Sequence, residues 1–153
     1  MKKLDTGSCR RTGETTFYET IIDKMFSIEE GEMEHLSKRI LVVDDDQGIL
    51  DSFEVLLGDR YDLVMTDNGY EALRIIETKP PRLVFLDIKM PGLDGMDVLK
   101  RLRKDQKKVE VVIITATHRE ETEKEAKSLG AIDFLMKPLN IVEVERIASQ
   151  ILS

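Results

Sequence analysis

Five polar side chains in this sequence stand where an apolar run stops. Asp44 and Asp45 follow residues 40–43, Asp87 follows 83–86, Thr115 follows 111–114, and Lys137 follows 134–136. One aspartate after a strand is ordinarily a helix N-cap, and a lone threonine or lysine there is ordinarily a strand or surface residue. Three carboxylates, a hydroxyl and an ammonium meeting at the carboxyl ends of parallel strands have a different meaning, because open sheets bind ligands in that crevice. The carboxylates repel one another unless a cation joins them. Mg²⁺ suits such a group, since it takes oxygen ligands in octahedral geometry and keeps waters beside phosphate oxygens; Mn²⁺ is the alternative. Asp87, expected at the centre of the sheet, is then the candidate nucleophile that accepts a phosphoryl group as an acyl phosphate. Such transfer asks for positioning and neutralised charge, which the metal, Lys137 and the Thr115 hydroxyl would supply.

The elements that must hold these groups are legible as an alternation of strand and helix. Strands are expected over residues 40–43, 61–66, 83–86, 109–114 and 133–136. Helices are expected over 47–57, 70–78, 96–104, 120–129 and 142–152. The first, third and fourth strands are continuous apolar runs, as parallel strands covered on both faces are. Gly58 stands where a helix end favours a left-handed residue, Gly130 ends the fourth helix, and Pro80-Pro81 stops the second. Asp46 and Asp94 are placed to cap the helices that follow them. Right-handed crossovers give a doubly wound α/β sheet of five parallel strands in the order 2-1-3-4-5. That order sets the end of the first strand beside the end of the third.

The chain has 153 residues, 41% hydrophobic and 35% charged, enough for a core without disulfides. A net charge of −7 argues against nucleic acid as the main partner. Cys9 is the one cysteine, and no apolar run approaches the length of a membrane span, so a cytoplasmic protein is expected. Residues 1–39 fall outside the alternating pattern and form an extension, polar and disordered at first. Phe17, Tyr18, Ile21, Ile22, Met25 and Phe26 recur at helical spacing, so an amphipathic helix is expected around 17–30. It would pack on its own domain, or serve self-association, as in a homodimer, or partner docking, with a disordered tail as the remaining alternative. His35 and His118 have neither metal-ligand spacing nor a nucleophilic partner, and both read as exposed bystanders.

Residues 40–152 resemble the receiver domain of two-component response regulators, the CheY-like, flavodoxin-like fold. The likeness is carried by Asp44-Asp45, by Asp87 in LDIKMPGLDG, by Thr115 in TAT, and by Lys137-Pro138. It implies that Asp87 is phosphorylated by a histidine kinase or histidine phosphotransfer protein. It implies Mg²⁺ bound directly by Asp45, Asp87 and the Lys89 backbone carbonyl, with Asp44 acting through water. It implies a cis peptide bond between Lys137 and Pro138. It also implies a switch, in which Thr115 turns toward the phosphoryl group and the Phe134 ring moves into the space vacated. The face made by the fourth helix, fifth strand and fifth helix then changes its affinity for a downstream protein. Phe134 lacks the hydroxyl of a tyrosine, so packing alone must hold its inward state.

Lys89 and Thr117 flank the path of an attacking water, and neither is suited to orienting it, so self-dephosphorylation is expected to be slow. The chain ends soon after its last helix, so a stand-alone receiver or phosphorelay intermediate is expected, with a receiver fragment of a longer regulator or hybrid kinase as the alternative. A binding module working without phosphorylation would be expected to have lost an acidic residue or the lysine. An aspartate-nucleophile phosphatase commonly needs a second carboxylate two residues after the nucleophile, where this chain has Lys89. A flavin phosphate would be repelled by the acidic run 44–46.

Overall fold

The computed structural model describes residues 38–152 and, within a helix, Ile22. The rest of the amphipathic segment expected around 17–30, with Cys9 and His35, lies outside the described residues. From Arg39 onward strand and helix alternate: β1 (Arg39–Val43), α1 (Gln47–Leu57), β2 (Asp62–Thr66), α2 (Gly69–Thr78), β3 (Leu83–Asp87), α3 (Gly95–Lys104), β4 (Glu110–Thr115), α4 (Glu120–Ser128), β5 (Asp133–Met136) and α5 (Ile141–Leu152). The strands form one parallel sheet in the order β2-β1-β3-β4-β5, as the sequence pattern predicts.

Side chains alternate across the sheet and build two cores. Leu41, Val43, Val84, Leu86, Val111 and Ile113 face the layer of α2, α3 and α4, where they meet Ala72, Ile76, Leu99, Leu102 and Ala126. Ile40, Val42, Leu83, Phe85, Val112 and Ile114 face α1 and α5, against Phe53, Leu57, Val144 and Ile147. Every residue of β3 is buried, which explains its unbroken apolar sequence. Burying large side chains on both faces contributes about 1.5–3 kcal/mol each and fixes the register that aligns the strand ends.

Two caps act as the sequence predicts. Asp46 accepts from the Gly48 N–H at 2.9 Å and opens α1; Asp94 accepts from the Asp97 N–H at 2.8 Å and opens α3. Gly130 has φ +85° after α4. Gly58 departs from expectation, because its φ of −60° is right-handed. A Cβ there would stand 2.5 Å from the Glu54 carbonyl oxygen, so glycine serves close packing at that helix end rather than a left-handed turn.

Candidate functional site

Register alone brings the chemistry together. Val43 pairs with Leu86 across β1 and β3, so Asp44 and Asp87 leave the sheet at neighbouring levels. Thr115 pairs with Met136 across β4 and β5, and the Lys137 N–H donates to the Thr115 carbonyl at 2.8 Å. All of these side chains therefore emerge at the carboxyl edge of the sheet. The Lys137–Pro138 peptide bond is cis.

Carboxylate oxygens of Asp44, Asp45 and Asp87 lie within 4.8 Å of one another. Asp44 is fully buried, Asp87 is buried at 3% exposure, and Asp45 is exposed. Asp44 Oδ1 accepts from the Asp46 N–H at 2.9 Å. Its Oδ2 is buried with no hydrogen bond of good geometry, although the Lys137 ammonium stands 2.6 Å away as an ion-pair partner. The same ammonium lies 3.6 Å from Asp87 Oδ1. Burial first, and then the charge of Asp44, push the Asp87 carboxyl up to about 6, against the pull of Lys137. For Lys137 burial works against the charged form, but the contact with Asp44 and the charges of Asp87 and Asp44 outweigh it and hold the ammonium above the ordinary lysine value. Three crowded carboxylates that share one ammonium suit a hard divalent cation with oxygen ligands.

The remaining sequence candidates line the rim. Thr115 is buried, and its hydroxyl is engaged by the turn after β4, donating to the Thr117 carbonyl at 3.1 Å and accepting from the Thr117 N–H at 3.2 Å. Lys89 is exposed in the loop after β3 and donates from Nζ to Thr117 Oγ1 at 3.4 Å, bridging the mouth of the crevice. Phe134 is half-buried on β5, away from the carboxylates, with its ring packed toward the α2–α4 core.

Two residues had no role assigned from sequence. Gly95 donates its N–H to the Ile88 carbonyl at 2.9 Å, and a Cβ there would overlap the Asp87 carbonyl oxygen. The glycine thus lets α3 start against the backbone of the candidate nucleophile. His118 is exposed but not a bystander, since it pairs with Glu123 and meets the Phe134 ring edge-on. Neither contact has a signature in local spacing.

The family model of the response regulator receiver domain matches residues 40–149. Among curated relatives, sporulation initiation phosphotransferase F of Bacillus subtilis is 37% identical over 110 residues, covering 71% of this chain and 89% of that protein. The alkaline phosphatase synthesis transcriptional regulatory protein PhoP of the same organism is 36% identical over 71% of this chain, which spans only 46% of PhoP. Among solved structures, the Francisella response regulator 1452 receiver domain superposes with a TM-score of 0.71 at 31% identity, covering 75% of this chain and 96% of that one. The NtrX receiver domain of Brucella abortus gives 0.68 at 35% identity, covering 74% and 97%. By this match and these relatives, the chain belongs to the response-regulator receiver family.

Proposed function

We propose that Asp87 takes a phosphoryl group from a phosphohistidine on a histidine kinase or histidine phosphotransfer protein, with Mg²⁺ required, and that the chain then signals by protein contact. The observation that carries this reading is the meeting of Asp44, Asp45 and Asp87 within 4.8 Å beside the Lys137 ammonium. An Asp87 oxygen attacks phosphorus, the N–P bond breaks and the imidazole leaves. Mg²⁺, when bound through Asp45, Asp87 and the Lys89 carbonyl, with Asp44 holding its water, would neutralise charge on the phosphoryl oxygens. Lys137 moves its ammonium from the shared position onto a phosphoryl oxygen. The Thr115 hydroxyl exchanges its bonds in the 115–117 turn for another of those oxygens, and Phe134 follows it inward. Lys89 and Thr117 hold the rim and leave water without an orienting partner, so the acyl phosphate persists.

The receiver comprises residues 40–153, with 1–39 as an extension. Beside the crevice, α1 and α5 frame an apolar groove of about 540 Å³ lined by Ile49, Phe53, Leu56, Pro138, Leu139 and Ile141. Pro138 directly follows Lys137, so a donor helix seated there brings its phosphohistidine to Asp87. A downstream protein reads the α4-β5-α5 face. The first relative's name, a phosphotransferase most of whose length is matched, favours a relay intermediate. The 46% share of PhoP favours a second reading, a receiver within a longer regulator. Intact-mass measurement with Mg²⁺ and acetyl phosphate tests the common claim. The parent should gain one phosphoryl group and Asp87→Ala none; an unmodified parent would defeat it.

A further inference from the structure

The turn between β4 and α4 carries a chain of contacts that phosphoryl transfer itself does not require. One hydroxyl, that of Thr115, makes both hydrogen bonds that fix the turn at Thr117. That turn delivers His118, whose ring stands edge-on to Phe134 with centroids 5.9 Å apart and planes at 82°. His118 Nε2 lies 2.6 Å from Glu123 Oε2 in the first turn of α4. Glu123 is held in turn by Lys127, whose ammonium donates to its other oxygen at 2.8 Å. The imidazole is thus gripped on one side by α4 and applied to the Phe134 ring on the other.

We propose that His118 is a positioning residue, a latch that holds Phe134 in its resting place and is released when Thr115 abandons the 115–117 turn. The inference rests on the reading that Asp87 takes a phosphoryl group toward which Thr115 turns. Phe134 has no hydroxyl to anchor either of its positions, so ring packing decides between them. An edge-to-face aromatic contact shifts such a balance by about 2- to 10-fold. Without Glu123 the exposed imidazole would be free to swing into solvent and would hold nothing. With it, the ring and the start of α4 move together, which carries the state of the crevice to the surface that a partner meets.

Fluorine NMR of the full chain labelled with para-fluorophenylalanine reads the latch, with the Phe134 signal assigned from Phe134→Leu. In the unphosphorylated protein, His118→Ala should displace the Phe134 signal toward its position in the parent treated with Mg²⁺ and acetyl phosphate. The ratio of displaced to resting ring should rise about 2- to 10-fold. His118→Phe, which keeps an aromatic edge, should restore most of the resting signal, and Glu123→Gln should weaken the hold partially. Phe53 and Phe85, packed together on the other face of the sheet, should not move in any variant, which separates a latch from general damage. A Phe134 signal identical in the resting parent and His118→Ala overturns the latch. A parent that responds to acetyl phosphate alongside that identity would leave the Asp87 reading standing. If the parent ignores acetyl phosphate, the Asp87 reading fails, while the resting comparison of parent, His118→Ala and His118→Phe still decides the latch.

Discussion

The Lys137 ammonium sits 2.6 Å from Asp44 and 3.6 Å from Asp87, so the proposed phosphoacceptor shares its cation with a fully buried neighbour. The sharing has an electrostatic consequence. Removing the ammonium strands two buried carboxylates rather than one. Lys137→Met should therefore cost about 3 kcal/mol of stability at pH 7, the scale for breaking a buried pair. Urea denaturation with and without Mg²⁺ checks this, and the metal should recover part of the loss. A variant as stable as the parent without metal would show that the ion pair is not structural.

Asp87 titrates near 6 in the folded chain against an ordinary value of 3.8. The folded state thus holds the proton more tightly than the unfolded one. Metal-free protein should lose stability as pH rises from about 4 through about 6, and stay at the lower level above that, by at most about 3 kcal/mol. Asp87→Asn should flatten this slope and be the more stable protein at pH 7. Denaturation midpoints across pH 4–8 in chelator measure both effects; a parent that gains stability through that window contradicts the assignment.

Lys89 and Thr117 meet across the mouth of the crevice at 3.4 Å. An amide in place of the ammonium can orient water toward the acyl phosphate, so Lys89→Asn should shorten the phosphoryl lifetime severalfold while leaving phosphorylation intact. Loss of adduct mass with time decides it. A lifetime equal to the parent's removes Lys89 from the account.

On the proposed reading, the groove between α1 and α5 would separate the two routes to Asp87. Ile141 lines it and is 60% exposed, so changing it should barely touch the fold. Ile141→Asp should slow transfer from a phosphohistidine protein about tenfold or more, the loss of one apolar anchor, and leave reaction with acetyl phosphate unchanged. Equal slowing of both would place the defect in the crevice instead of the docking face.

Much of this was legible because the chemistry follows strand ends, and strand ends are marked by where apolar runs stop. The run at 83–86 predicts a buried central strand, and register then carries Asp44 to Asp87 without further information. What was hidden depends on side-chain directions and on loop approach. Gly58 has the sequence mark of a left-handed cap but serves a close contact with Glu54, since composition cannot tell these two uses of glycine apart. Gly95 carries no mark of its role in the sequence, and only the path of the loop shows that α3 begins against Asp87. His118 meets Phe134 across 15 intervening positions, which no helical or strand period connects.

Borohydride reduction of the phosphorylated protein tests the central claim most directly, because it converts an aspartyl phosphate to homoserine at the residue that carried it. After incubation with Mg²⁺ and acetyl phosphate, peptide mapping should find homoserine at position 87 and nowhere else, with none formed in chelator. Homoserine at Asp44 or Asp45, or an unreduced chain throughout, would contradict it.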